Sequence, residues 1–165
     1  MNEASRELRP DVAGVGFPHV PMSLPREATL LAFDFGTRRI GVAIGNTLVR
    51  VARPLATIDA QEADARFAAI AALVREWQPD RLVVGIPVHA DGTEHAMTLR
   101  ARRFARQLAG RFRLPVVYAD ERYTTQAAAS VLESDGAGGR DGRGKRDEIA
   151  AQVILQAWFD AHHAD

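Results

Sequence analysis

The sequence predicts a single α/β domain on a mixed five-stranded sheet, with a three-strand antiparallel meander, two further parallel strands and flanking helices. Three observations predict it. Apolar stretches with tight connections fill residues 30–58, apolar spacing changes to three and four residues at Ala63, and strand-like and helix-like segments alternate from there. With 165 residues, 47% hydrophobic and 25% charged, the chain has the size and composition of one domain with its own core.

Residues 1–28 carry Pro10, Pro18, Pro21 and Pro25 without helical or strand periodicity, so they are expected to be a poorly structured extension to a domain over 29–165. Leu30 to Phe35 reads as a buried strand, Gly36 to Arg39 as a turn and Ile40 to Ile44 as a second strand. A third strand is expected around Val49 to Ile58, at an edge or interrupted, because Pro54 has no N–H for a ladder. Ala63, Phe67, Ile70, Ala71, Val74 and Trp77 then mark one face of a helix that Pro79 ends. Leu82 to Ile86 is a short buried strand, and Met97, Ala101, Phe104, Ala105 and Leu108 form the stripe of the next helix. A strand over Pro115 to Ala119, a helix over Thr124 to Leu132 and a last helix over Glu148 to Ala161 complete the series. The last helix should turn Ile149, Val153, Ile154, Ala157 and Trp158 inward. Five glycines between Asp135 and Gly144 predict a mobile loop before it.

Composition removes several function classes. The absence of cysteine excludes disulfide frameworks, thiolate nucleophiles and cysteine-held metals, so any metal must take oxygen or histidine ligands. No apolar run has the length of a membrane-spanning helix and no secretory signal opens the chain, which reads as cytoplasmic with no membrane partner. Twenty-one basic and 21 acidic residues cancel, so any attraction for nucleic acid must be local. Arg100, Arg102, Arg103, Arg106, Arg111 and Arg113 supply such a region without an acid among them.

Three acids fall at element ends: Asp34 late in the first strand, Glu121 just past the Tyr118 strand and Asp147 at the start of the final helix. Carboxyl ends of parallel strands are where open α/β sheets place ligands, so Asp34 and Glu121 converge if their strands are neighbours. Period two lets only one of Asp120 and Glu121 face such a cluster, and the helical turn lets only one of Asp147 and Glu148 do so. Each acid also has a structural use. An acid at a helix start suits the dipole, and Glu121 next to Arg122 suits a surface ion pair. Asp34 closes an apolar strand, where an unpartnered carboxylate is costly to bury.

Four motifs carry a resemblance. They are Leu31 to Ala43 (LAFDFGTRRIGVA), Val84-Gly85-Ile86-Pro87 with Asp91 to Glu94, Asp120 to Thr125 (DERYTT), and Lys145-Arg146-Asp147 followed by Ala150-Ala151 and Ile154-Leu155-Gln156. In order and spacing they resemble the YqgF family of Holliday junction resolvases or ribosomal RNA precursor nucleases, from about Leu30 to Asp160. The resemblance implies a ribonuclease H-like fold and a metal-dependent phosphodiesterase that processes the 5' end of pre-16S ribosomal RNA. It carries the catalytic and metal-binding roles onto Asp34, Glu121 and Asp147, the same acids singled out above.

That chemistry is coherent with the residues. Carboxylate oxygens suit Mg2+ or Mn2+, and a pair of ions about 4 Å apart activates water and stabilises the leaving oxygen without a side-chain nucleophile. Without metal the three acids repel, which raises at least one pKa. Arg38, Arg39, Arg122, Lys145 and Arg146, adjacent to the acids in sequence, are the expected phosphate contacts, with Arg100 and Arg103 further off. Thr124 and Thr125 read as helix caps, and His89 and His95 as surface loop residues. The expected partner is a ribosomal RNA precursor, alone or in a ribosomal particle. Two other readings remain at this point: a non-catalytic RNA-binding module, and a fragment of an actin-like ATPase, whose first phosphate loop resembles Asp34 to Thr37.

Overall fold

The computed structural model describes residues 27–87, 91, 93–121 and 142–162, with the backbone alone at 142–144. The expected N-terminal extension, the expected helix over Thr124 to Leu132, His89, Arg122 and most of the glycine-rich stretch lie outside the described residues. The elements are β1 (Thr29–Phe35), β2 (Arg39–Asn46), β3 (Arg53–Asp59), α1 (Ala63–Trp77), β4 (Arg81–Ile86), α2 (Ala96–Phe112), β5 (Val116–Asp120) and α3 (Gly142–Ala161). They form one five-stranded sheet in the order β3-β2-β1-β4-β5. β1, β2 and β3 pair antiparallel, while β4 and β5 continue parallel to β1, which is the mixed sheet the sequence predicts.

Alternation along β1 sorts its side chains onto two faces. Leu31 and Phe33 join Val42, Leu82, Val84, Val116 and Tyr118 in one core, closed by Phe67 and Ile70 of α1 and by Ala101, Phe104 and Leu108 of α2. Leu30 and Ala32 join Ala43 and Val83 in a second core, closed by Ala151, Ile154, Leu155, Trp158 and Phe159 of α3. Among the described helices, α3 therefore lies on one face and α1 with α2 on the other. No described helix is long and apolar enough to cross a membrane.

Three expectations need correction. The third strand starts at Arg53, because residues 47–52 are held in a turn instead. The Asn46 side-chain oxygen accepts from the backbone N–H groups of Leu48 and Val49 (3.0 and 2.8 Å), and the Gln156 amide bridges Ala52 N and Arg50 O (3.0 and 3.1 Å). Pro54 does lie on the edge strand, opposite Ala43, where the register shifts. In α1 the expected stripe is only partly covered: Phe67 and Ile70 are buried, Ala71, Val74 and Trp77 half-buried and Ala63 exposed, since this helix packs at the margin of the core. Helix α3 begins at Gly142, well before Glu148, so Gly142 and Gly144 are helical despite a propensity about 1 kcal/mol below alanine. Packing of the apolar residues further along overrides that local preference. Asp147 accordingly lies in the second helical turn, so the dipole at a helix start does not account for it.

Candidate active site

Asp34 lies across the antiparallel ladder from Gly41, one residue past the Phe33–Val84 pairing with β4. Its strand does not neighbour β5, because β4 stands between them. The gap is bridged at Gly85, whose Cα faces the same side and whose missing side chain leaves the space to Glu121. A Cβ at Gly85 would lie 3.1 Å from Glu121 Cδ and 2.5 Å from Ile154 Cδ1. Glu121 thus passes over β4, and its carboxyl hydrogen-bonds to that of Asp34. Glycine at position 85 was visible in the sequence; its use as a passage between two acids follows only from the strand order.

Both carboxyls are held above the ordinary carboxylate range. Burial pushes Glu121 up to about 8, helped by the Asp34 charge, its hydrogen bond to Asp34 and the Asp120 charge. Burial pushes Asp34 up to about 6; the Glu121 bond lowers it and the Asp147 charge raises it again. Both carboxyls are raised, so the pair as a unit holds a proton more readily near neutral pH than two free acids would. The mutual repulsion expected from the sequence is present.

Asp147 reaches the pair from α3, close enough to act on Asp34 by charge. Gly41 makes this approach possible, since a Cβ there would collide with the backbone carbonyl of Asp147. The Asp147 carboxylate is turned to Arg39, whose Nε donates to Oδ2 at 2.7 Å. Among the described residues no three acids or histidines close on one point as a metal site would. Glu148 points elsewhere, accepting from the Thr57 hydroxyl on β3 at 3.4 Å. Between the paired alternatives of the sequence, Glu121 and Asp147 face the cluster.

The cations are distributed unevenly. Arg39 is half-buried at the cluster, Arg38 is exposed in the preceding turn, and Lys145 and Arg146 are exposed in the early turns of α3. Arg100 and Arg103 are exposed on α2, behind the other face of the sheet. Sequence reading missed Arg66, which is 7% exposed. Its guanidinium donates to Gly36 O (2.6 Å) and Ala60 O (2.5 Å) and lies over the Phe35 ring at 5.5 Å. It ties the turn after Asp34 to the start of α1. An arginine between exposed positions of an amphipathic helix gave no signal of this. It also missed His95, which is no plain loop residue: its Nδ1 accepts from Met97 N at 3.3 Å, while Thr98 Oγ1 accepts from His95 N at 3.0 Å, capping α2.

Comparison with known proteins bears on what this arrangement is. Residues 28–161 match the RuvX family, described as "Holliday junction resolvase". A protein of Nitrosomonas europaea named "Putative pre-16S rRNA nuclease" is 58% identical over 143 residues, covering 87% of this chain and 97% of that one. A protein of the same name from Chromobacterium violaceum is 54% identical over 131 residues, covering 79% and 96%. Among solved structures, Thermus thermophilus RuvC in complex with a Holliday junction substrate superposes with a TM-score of 0.53 at 17% identity, over 83% of this chain and 96% of that one. The shared fold is the ribonuclease H-like one expected from the sequence.

Proposed function

The chain belongs to the RuvX family of nucleases, and from that premise we propose that Asp34, Glu121 and Asp147 form the reaction centre of a divalent-metal-dependent phosphodiesterase. The observation that carries this reading is the Asp34–Glu121 pair, two carboxyls crowded until they share a proton, with Asp147 acting on them from the covering helix. Such crowding is unfavourable for the free protein and suits a cation.

The donors fit the metal by type. All are carboxylate oxygens, the hard ligands that Mg2+ and Mn2+ prefer. When bound, the ions would supply a nucleophilic water at neutral pH and offset charge on the phosphate. Asp34 and Glu121 would hold them from the sheet and Asp147 from α3. The Asp34–Glu121 pair must first release its proton, and Asp147 must leave Arg39. Arg39, so released, would orient the phosphate, and the exposed Arg38, Lys145 and Arg146 would add to it. Arg122, outside the described residues, is proposed for the same role from its place next to Glu121 in the sequence alone.

The names of the similar proteins support a pre-16S ribosomal RNA as substrate; cleavage at its 5' end, in the cytoplasm, is proposed from the resemblance of the sequence motifs alone. The family description favours a second reading, resolution of DNA junctions. Both are tested together by incubating the protein with labelled precursor RNA and with a four-way DNA junction, with and without Mn2+. Metal-dependent cleavage of the RNA at one defined end, lost in Asp34→Asn with the thermal melt retained, is the expected result. Cleavage of the junction alone selects the second reading. Binding without cleavage of either leaves a non-catalytic RNA-binding module, and random RNA ends remove the processing role.

A further inference from the structure

The six arginines between Arg100 and Arg113 separate into different uses once α2 is in place. Arg102 Nη2 pairs with Glu94 at 2.6 Å and its guanidinium lies over the Tyr118 ring at 5.9 Å. Arg111 stacks over Phe67 at 4.0 Å. Arg100, Arg103 and Arg106 are exposed and make no ion pair among the described residues. Ala101, Phe104, Ala105 and Leu108 face the core, so these three share the outer side of the helix.

Their spacing of three residues sets them along one ridge that rises about 4.5 Å along the helix axis per step and about 9 Å in all. That length matches two or three successive phosphates of a helical strand that rises about 3.4 Å per nucleotide. Helix α2 contains no acid, whereas a face that serves solubility mixes both signs. The uncompensated charge is local, since the whole chain is neutral.

Position adds a second argument. Helix α2 starts after the carboxyl end of β4, which is the end of the sheet that carries Asp34 and Glu121, so Arg100 lies nearest that end. The helix packs on β4 and β5, and β5 is the edge strand that leads into Glu121. Among the described strands, β5 is the sheet edge between the acids and the ridge.

We propose that Arg100, Arg103 and Arg106 form a second phosphate-binding ridge on the opposite face of the sheet from the acids. It grips the backbone of a nucleic acid away from the phosphate being cut. The inference rests on the reading of this chain as a nuclease, and it narrows the substrate to a strand long enough to turn round the β5 edge.

The test compares two RNAs, a hairpin of about 40 nucleotides and a single strand of about six, by fluorescence anisotropy at several salt concentrations. An Asp34→Asn background prevents cleavage. With Arg100→Gln, Arg103→Gln and Arg106→Gln combined, hairpin affinity should fall about tenfold or more and the salt dependence should flatten by roughly two to three contacts, against less than threefold for the short strand. The three lysine replacements at the same positions should retain most of the hairpin affinity, and all variants should melt as the parent does. Equal losses on both RNAs, or none on either, overturn the ridge. Retention on immobilised polyglutamate that the glutamine variant loses, with RNA binding unchanged, also overturns it in favour of an acidic protein. If the wild-type chain binds the hairpin through the ridge but never cleaves RNA or DNA, the reading of the reaction centre fails and the ridge stands. Cleavage with an indifferent ridge gives the reverse.

Discussion

Gly41 lies against the backbone carbonyl of Asp147 with no room between them for a side chain. Because Gly41 is also the cross-strand partner of Asp34, this one contact sets how near α3 can bring its acid to the acid of β1. Gly41→Ala should push the early part of α3 off the sheet. A forced methyl in a packed interior costs about 1–3 kcal/mol, so denaturant unfolding should register a loss of that order. Nuclease activity should fall further than stability explains, since Asp147 moves with the helix. Gly110→Ala, inside helix α2 where an added Cβ meets nothing, is the control: activity should stay within error and stability should hold or rise by up to about 1 kcal/mol, the gain of alanine over a helical glycine.

Arg39 holds Asp147 by a 2.7 Å ion pair in the place where a metal would otherwise compete for that carboxylate. Arg39→Gln removes a positive charge beside the cluster and frees the carboxylate. Mn2+ affinity of the RNA-free protein, read by electron paramagnetic resonance titration, should therefore rise severalfold. RNA affinity should fall, with a salt dependence flatter by about one contact. Mn2+ affinity that falls in this variant would show that Arg39 orients Asp147 for the metal.

The elements were legible because a short continuous apolar run such as Leu30 to Phe33 fits a strand buried on both faces, and the three- and four-residue spacing of Phe104 to Leu108 follows from helix geometry. Asp34 and Glu121 were legible by their places at strand ends, while Asp147 was placed at a helix start that in the structure lies a turn earlier. Less legible was whatever depends on strand order. Asp34 and Glu121 do not lie on neighbouring strands, and they meet only because Gly85 in β4 lets Glu121 through. The start of α3 was hidden by Gly142 and Gly144, whose local preference opposes the helix that tertiary packing imposes. The turn at residues 47–52 depends on Gln156, more than a hundred positions away, and no local pattern announces it.

Arg66 is the one buried guanidinium on α1, and it holds the Gly36 and Ala60 carbonyls at once. Its removal leaves two carbonyls without their charged donor and opens a gap beside Phe35. Arg66→Met, which keeps most of the apolar stem, should cost about 2–4 kcal/mol in urea unfolding. It should also weaken cleavage through the turn that follows Asp34, while Arg75→Met on the exposed side of the same helix should do neither.

The shared proton of Asp34 and Glu121 fixes the sign of a pH dependence. In the unfolded chain both carboxyls ionise near their ordinary values of 3.8 and 4.5, but in the folded protein burial and mutual repulsion hold them up to about 6 and about 8. Between those limits the native state binds more protons than the unfolded state, so stability falls as pH rises from about 4 to about 8 and levels off above that. Other carboxylates pull in the opposite direction at low pH, so the measurement is a difference. The thermal midpoint of the metal-free protein should drop more steeply from pH 5 to pH 8 than that of Glu121→Gln, which has no proton to lose there. Mn2+ takes over the role of the proton, and it should raise the midpoint of the wild-type chain by more at pH 8 than at pH 5. It should raise that of Glu121→Gln little at either pH. Parallel curves for the two proteins would mean that the carboxyls ionise independently in the fold, and the site would then lack the crowding that favours a cation.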